Sequence, residues 1–291
     1  MLNVALHVIS TVTVVPSAAA CGLAALLTVI ALYGRKKLAG TTLTAPCIWI
    51  AISATCLIGL ALIEMTQPAE TIGMSALRFT VAASTLCPLV AVLGAKRPQD
   101  RGWQWIVLSL WLIVIWPAAQ ALAHPAGPRV ELFTPWKLFV AGVVAMGPLN
   151  YLPTRHWLAS LLVAAGQLIL FSDYLGLGTT NEWQLPSALA CFVIAAMTVA
   201  VRKNKQVNAD QTLNNETARW FRFRDGFGAF WAIRVMQRVN ETAGLRNWPV
   251  RLTWSGFESV ETEARDPRSQ TSATVKAEVE QTFDTLLRRF F

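Results

Sequence analysis

Three polar side chains stand out for where they fall. Arg78, Glu64 and Gln167 each lie inside, or at the end of, a long apolar run. An ionised group in hydrocarbon is costly and must find a partner, an aqueous cavity or a ligand. Arg78 sits about six residues into the run 72–94, roughly 9 Å from its start at 1.5 Å per residue. Glu64 closes the preceding run, 45–65, on the same side of the resulting hairpin. The guanidinium and the carboxylate can pair there. Otherwise Arg78 snorkels outward or offers a site to an anion. Gln167 is the amide near the middle of the run 156–173, where such a group bonds a neighbouring helix or faces a solute. These three residues form the candidate intramembrane polar site.

Other reactive types lack the spacing for chemistry. Cys21, Cys47, Cys56, Cys87 and Cys191 all fall in apolar runs, with no C-x-x-C pair, and read as small buried hydrophobes. His7, His124 and His156 match no metal or haem pattern. No acid, lysine or histidine falls near the middle of a run, which weighs against ion-coupled transport, and the seventh run has no lysine for retinal. Residues 202–291 hold no phosphate loop, no histidine and no acid pair for a metal. The expectation is a non-enzymatic chain with no catalytic residue, metal or cofactor.

The elements that position these groups follow from composition. The chain is 54% hydrophobic and 14% charged, against about 25% charged in an ordinary soluble protein. Residues 1–201 carry 10 Lys/Arg and 6 Asp/Glu, whereas 202–291 carry 15 and 11. The first part therefore reads as membrane-embedded and the second as water-exposed. This excludes a soluble globular enzyme, a disordered chain and a secreted disulfide scaffold. The net charge of +8 gathers at the ends of apolar runs. That pattern suits an anionic membrane face, not nucleic acid.

A hydrocarbon core of about 30 Å needs about 20 apolar residues per helix. Seven stretches approach this: 11–33, 45–65, 72–94, 103–123, 136–151, 156–173 and 183–201. The fifth and sixth are short, and merging them into a re-entrant pair gives a six-helix alternative. Arg35, Lys36, Lys37, Lys96, Arg97, Arg101, Arg155, Arg202, Lys203 and Lys205 fall in alternate loops. The opposite loops carry Arg129 and Lys137 with Glu64, Glu70, Glu131, Asp173 and Glu182. Basic loops stay in the cytoplasm, so the N-terminus is expected outside and the C-terminus inside. Trp103, Trp105 and Trp157 then mark inner ends, and Trp136 and Trp183 outer ends. Ala18-Ala19-Ala20-Cys21 faintly resembles a lipoprotein cleavage box, but no basic residue precedes it. Pro16, Pro88, Pro117, Pro148 and Pro186 kink the helices, and the freed carbonyls can line a cavity. Ala18/Gly22, Ala20/Ala24 and Ala141/Ala145 suit close helix packing.

The tail is patterned differently. Residues 202–216 are polar and read as a linker. Residues 217–243 read as one helix ending at Gly244, with Phe223, Phe227, Phe230 and Trp231 on one stripe. Residues 248–254 alternate like one extended segment, 258–273 are polar and flexible, and 274–291 form an amphipathic helix. The stripe is the candidate tail interaction surface. Its destination is a small core with Phe283, Leu287 and residues 248–254, the anionic inner leaflet, or another protein.

The fold expected is an all-α membrane protein: a seven-transmembrane-helix bundle (1–201), N-out and C-in, joined by the linker 202–216 to a small, helix-rich α(+β) cytoplasmic tail (217–291). The function expected is a sensor, adaptor or assembly subunit of the cell membrane that presents its tail to a partner. The alternative is a small-solute transporter or channel with a proline-kinked cavity. The lipid bilayer and a protein at the tail are the expected partners, with no nucleic acid.

Overall fold

Within a bilayer only a helix satisfies every backbone N–H and C=O from its own segment, so long apolar runs free of turn residues fold as helices. In a computed structural model, which describes residues 2–66, 71–124, 129–178, 181–201, 213–259 and 272–291, the described residues are mostly helical. Each of the seven apolar stretches falls on helix. They are α1 (Leu2–Lys37), α2 (Thr44–Thr66), α3 (Ile72–Ser84) with α4 (Cys87–Leu93), α5 (Asp100–Val114) with α6 (Trp116–Ala123), α7 (Thr134–Tyr151), α8 (Trp157–Leu175) and α9 (Gln184–Val201).

Four segments are long and apolar enough to cross a membrane: Val15–Lys37, Thr44–Thr66, Ile72–Leu93 and Trp157–Leu175. A fifth exists if α5 and α6, bent by 43° at their junction, are one span. This is compatible with a multi-pass membrane protein. The length ranking differs from the sequence reading. The sixth stretch is long enough because α8 runs on through Asp173 and Tyr174 to a left-handed cap at Gly176 (φ 77°). The seventh falls short, since the apolar part of α9 is only Gln184–Ala200.

Helix α1 packs on α2 and α9, α8 on α7 and α9, and α3 on α6 and α8. Small residues allow the close approaches: Ala20 and Ala24 of α1 and Ala54 and Ala61 of α2 are fully buried. Of the other small pairs expected in packing, Ala18 and Gly22 are exposed instead. Large apolar side chains such as Val29, Leu112 and Leu138 point outward, as lipid-facing residues do.

The 72–94 stretch is broken at Thr85-Leu86, ahead of Pro88. Proline has no N–H for the carbonyl four residues back. The Ser84 carbonyl accepts instead from Ser53 Oγ at 2.7 Å, and the Thr85 carbonyl from Gln167 Nε2 at 2.8 Å. Both freed acceptors are thus satisfied from neighbouring helices.

The tail differs from its sequence reading in four places. Helix α10 (Leu213–Phe227) begins inside the stretch read as linker, of which 202–212 lie outside the described residues. The single helix expected over 217–243 is two, α10 and α11 (Ala229–Leu245), because Gly228 takes φ 80° and ψ −179°. Helix α11 also passes Gly244 and ends on Arg246. The extended segment is half of a hairpin, β1 (Val250–Thr253) and β2 (Gly256–Ser259), paired antiparallel with Val250 opposite Ser259. Helix α12 (Ser272–Leu287) follows, and 260–271, most of the stretch read as flexible, lie outside the described residues.

Loops 38–43, 94–99 and 152–156 meet the tail at one end of the bundle. Thr42 N–H donates to the Phe290 carbonyl at 3.0 Å and Arg97 N–H to the Arg289 carbonyl at 2.8 Å. Trp254 Nε1 donates to the Pro153 carbonyl at 3.0 Å. Arg35, Lys36 and Lys37 end α1 just ahead of the first of these loops, Lys96 and Arg97 lie in the second, and Arg155 lies in the third.

Candidate functional site

The polar residues singled out in the helices do not form one site. Arg78 Nε donates to Glu64 Oε1 at 2.6 Å, closing the α2–α3 hairpin with both side chains mostly covered. A polar layer surrounds them. Tyr174 OH donates to the Ser75 carbonyl at 2.8 Å, Ser75 Oγ accepts from Val130 N–H at 3.0 Å, and Arg129 Nη1 lies 3.7 Å from Asp173 Oδ1. Gln167 is buried on α8 and belongs to the α3–α4 break. Thr85, its partner, is seven positions beyond Arg78, about 10 Å along the helix direction.

The richest convergence of side chains is at the seam between bundle and tail. Phe223, Phe227 and Trp231 of the stripe are buried, whereas Phe230 is 42% exposed. Phe230 leaves the stripe because the break at Gly228 resets the helical phase of α11. Trp220, three residues before Phe223 on α10, joins this core and is fully buried. Phe290 is the hub: its ring lies 4.8 Å from Phe223, 5.0 Å from Phe227 and 5.1 Å from Trp231, edge to face in each case. Edge-to-face pairs contribute roughly 0.5–1.5 kcal/mol beyond area burial. Leu252, Phe283 and Leu287 complete the tail side, and Ala95 and Leu43 close the core from the bundle loops.

Directed bonds rim this aromatic core. Thr42 Oγ1 donates to the Ala95 carbonyl at 2.9 Å. Asn150, fully buried at the end of α7, donates to the Phe227 carbonyl at 3.4 Å and accepts from Phe230 N–H at 3.0 Å. Tyr151 OH donates to the Gly226 carbonyl at 3.0 Å, and Trp231 Nε1 to the Val92 carbonyl at 3.2 Å. Asp225 is the buried charge. Arg155 Nε lies 3.2 Å from its Oδ2 and Arg224 Nη2 3.0 Å from its Oδ1, one cation from the bundle loop and one from the tail.

On the far side of the tail, Arg219 bridges Glu216 and Asp284 and so ties α10 to α12. Burial pushes the Glu216 carboxyl above its usual range, against the pull of Arg219. Burial opposes the Arg219 charge, but bonds to Asp284 and Glu216 outweigh it and raise its pKa.

Among the described residues no group of three or more His, Cys, Asp or Glu could hold a metal ion. The arrangement is an aromatic core fixed to three loops by directed bonds. Sequence reasoning missed Thr42, Asn150, Tyr151, Asp225, Trp220 and Trp254. One signal was legible, because Asp225 directly follows Arg224 on a helix expected to carry an apolar stripe. Compared with family profiles, curated proteins and solved structures, the chain matches none.

Proposed function

We propose that this chain is a seven-helix integral protein of the cell membrane, amino terminus outside and tail in the cytoplasm, that acts without catalysis as a sensor, adaptor or assembly subunit. The observation that carries this reading is the seam. The tail buries Phe223, Phe227 and Trp231 inward and is bonded to all three loops it meets, so its position follows any movement of the helices that bear those loops. What it offers a partner is its outer face, where Arg222, Arg238 and Arg251 are exposed. The residues first considered for solute passage are engaged by the protein itself, Gln167 by Thr85 and Arg78 by Glu64. A transporter role therefore draws no support from them.

Topology is tested with reporter fusions. Fusions after residues 38, 100 and 205 should report cytoplasm, and one after residue 68 the exterior. An exterior signal after residue 205 would reject the reading. Coupling is tested by spin labels on the exposed Arg238 and on a loop residue such as Gln99. Their separation should hold while the seam is intact and broaden in Asp225→Ala. A broad distribution in the unmodified chain would mean that the tail does not track the bundle.

A further inference from the structure

We propose that the tail-side end of the bundle carries a site for the phosphate of an anionic phospholipid, formed by Lys96 and Arg234 around the Trp231 indole, with Phe230 and Ile233 against the acyl chains. The proposal rests on the membrane-spanning reading above.

Two cations from different elements converge on one ring. Lys96 Nζ, from the loop after α4, lies 5.8 Å from the Trp231 ring centroid, and Arg234 Cζ, one turn along α11, lies 5.2 Å from it. The ring quadrupole attracts each cation, but the ring carries no net charge to balance them, which a carboxylate ordinarily does. Among the described residues no acid pairs with either. An anion is the missing partner.

Depth identifies it as a lipid headgroup. Trp231 Nε1 donates to the Val92 carbonyl at the end of α4, and Phe230 N–H to Asn150 Oδ1 at the end of α7. The first turn of α11 therefore lies level with the helix ends, where bilayer headgroups are found. Phe230 and Ile233, three residues apart on one face, are both exposed there beside Arg234. Apolar side chains next to arginine and lysine, with an indole between, suit the membrane interface.

The test uses the full chain in lipid nanodiscs of phosphatidylcholine, alone or mixed with phosphatidylglycerol, with retained lipid counted by native mass spectrometry. The unmodified chain should retain phosphatidylglycerol preferentially. A cation near an anionic surface contributes about fivefold in affinity, so Lys96→Gln with Arg234→Gln should lower that retention about 30-fold. Arg222→Gln, an exposed change elsewhere on the tail, should leave it unaltered. Each single variant is measured too, so a folding defect in the double variant does not remove the comparison. Equal retention of the two lipids, or unchanged retention in the single and double variants, overturns the proposal. Displacement of the lipid by millimolar inorganic phosphate overturns the lipid assignment in favour of a soluble anion. A chain that fails to enter the discs rejects the membrane-spanning reading, whereas one that enters without lipid preference rejects only this site.

Discussion

Asn150 straddles Gly228. Its side-chain amide bonds the backbone on both sides of the break, to the Phe227 carbonyl at 3.4 Å and the Phe230 N–H at 3.0 Å. Gly228, at φ 80° and ψ −179°, holds a conformation that side chains rarely permit, and a Cβ there would collide with the Asn150 amide. The bundle thus recognises the hinge of the tail, not merely its surface.

Gly228→Ala should therefore release the tail. Backbone strain alone amounts to about 1–3 kcal/mol, and displacing Asn150 adds to it. Limited proteolysis in membranes should show residues 213–291 cut faster while α1–α9 stay inserted, with Asn150→Ala giving a milder version. Digestion at the original rate would mean that the hinge geometry is not what docks the tail.

Asp225→Ala should leave Arg155 and Arg224 facing one another across the seam. Breaking a buried pair by removing one partner costs about 3–5 kcal/mol, and the lower end applies here because Arg155 is partly exposed. Arg155→Gln should be milder, since Arg224 still meets the carboxylate. Thermal unfolding in detergent followed by a probe on the tail would rank the two, and the opposite ranking would contradict this account of the charge.

The α2–α3 hairpin invites a double-mutant cycle. Arg78→Leu and Glu64→Gln should each lower the melting temperature. The double variant should lose less than both together, with a coupling of about 1–2 kcal/mol. Additive losses would show that the 2.6 Å contact contributes no net stability.

Glu216 sets a pH dependence in the tail. Its folded pKa is raised above the usual 4.5 by burial. The folded state therefore holds the proton more tightly than the unfolded one, and that contribution is fully present below pH 4.5 and lost as pH rises through the folded value. Glu216→Gln should flatten this part of the profile of tail stability. Arg219→Gln should steepen it, because the cation that restrains the shift is gone. A tail stability that climbs with pH through this window, and does so because of Glu216, would reverse the assignment.

Run length and polarity are local properties, and they made much of the helical layout legible. The seven stretches land on helices, and Arg78 and Glu64 could be paired because a hairpin places near neighbours in sequence on the same side. The breaks were harder to read. Pro88 and Gly228 were visible as residues, but whether a helix bends, stops or restarts at them depends on the groups that take up the freed carbonyls. Those groups, Gln167 and Asn150, lie 82 and 77 residues from the carbonyls they bond. The exposure of Phe230 follows from the Gly228 break, so one unread hinge moved the end of the stripe. Thr42 and Tyr151 carried no signal at all, because a hydroxyl at the end of an apolar run has the same local reading whether it meets water or a tail.

The bond from Thr42 to the Phe290 carbonyl spans 248 positions, which sets an order of events during synthesis. Thr42 reaches the membrane early, but the ring that fills the aromatic core is translated 248 residues later. Until then Trp220, Phe223 and Phe227 have no lid. Contacts this distant in sequence close slowly, and an apolar surface left open meanwhile is prone to aggregate. Closure of the core would mark a chain whose helices have already been threaded correctly.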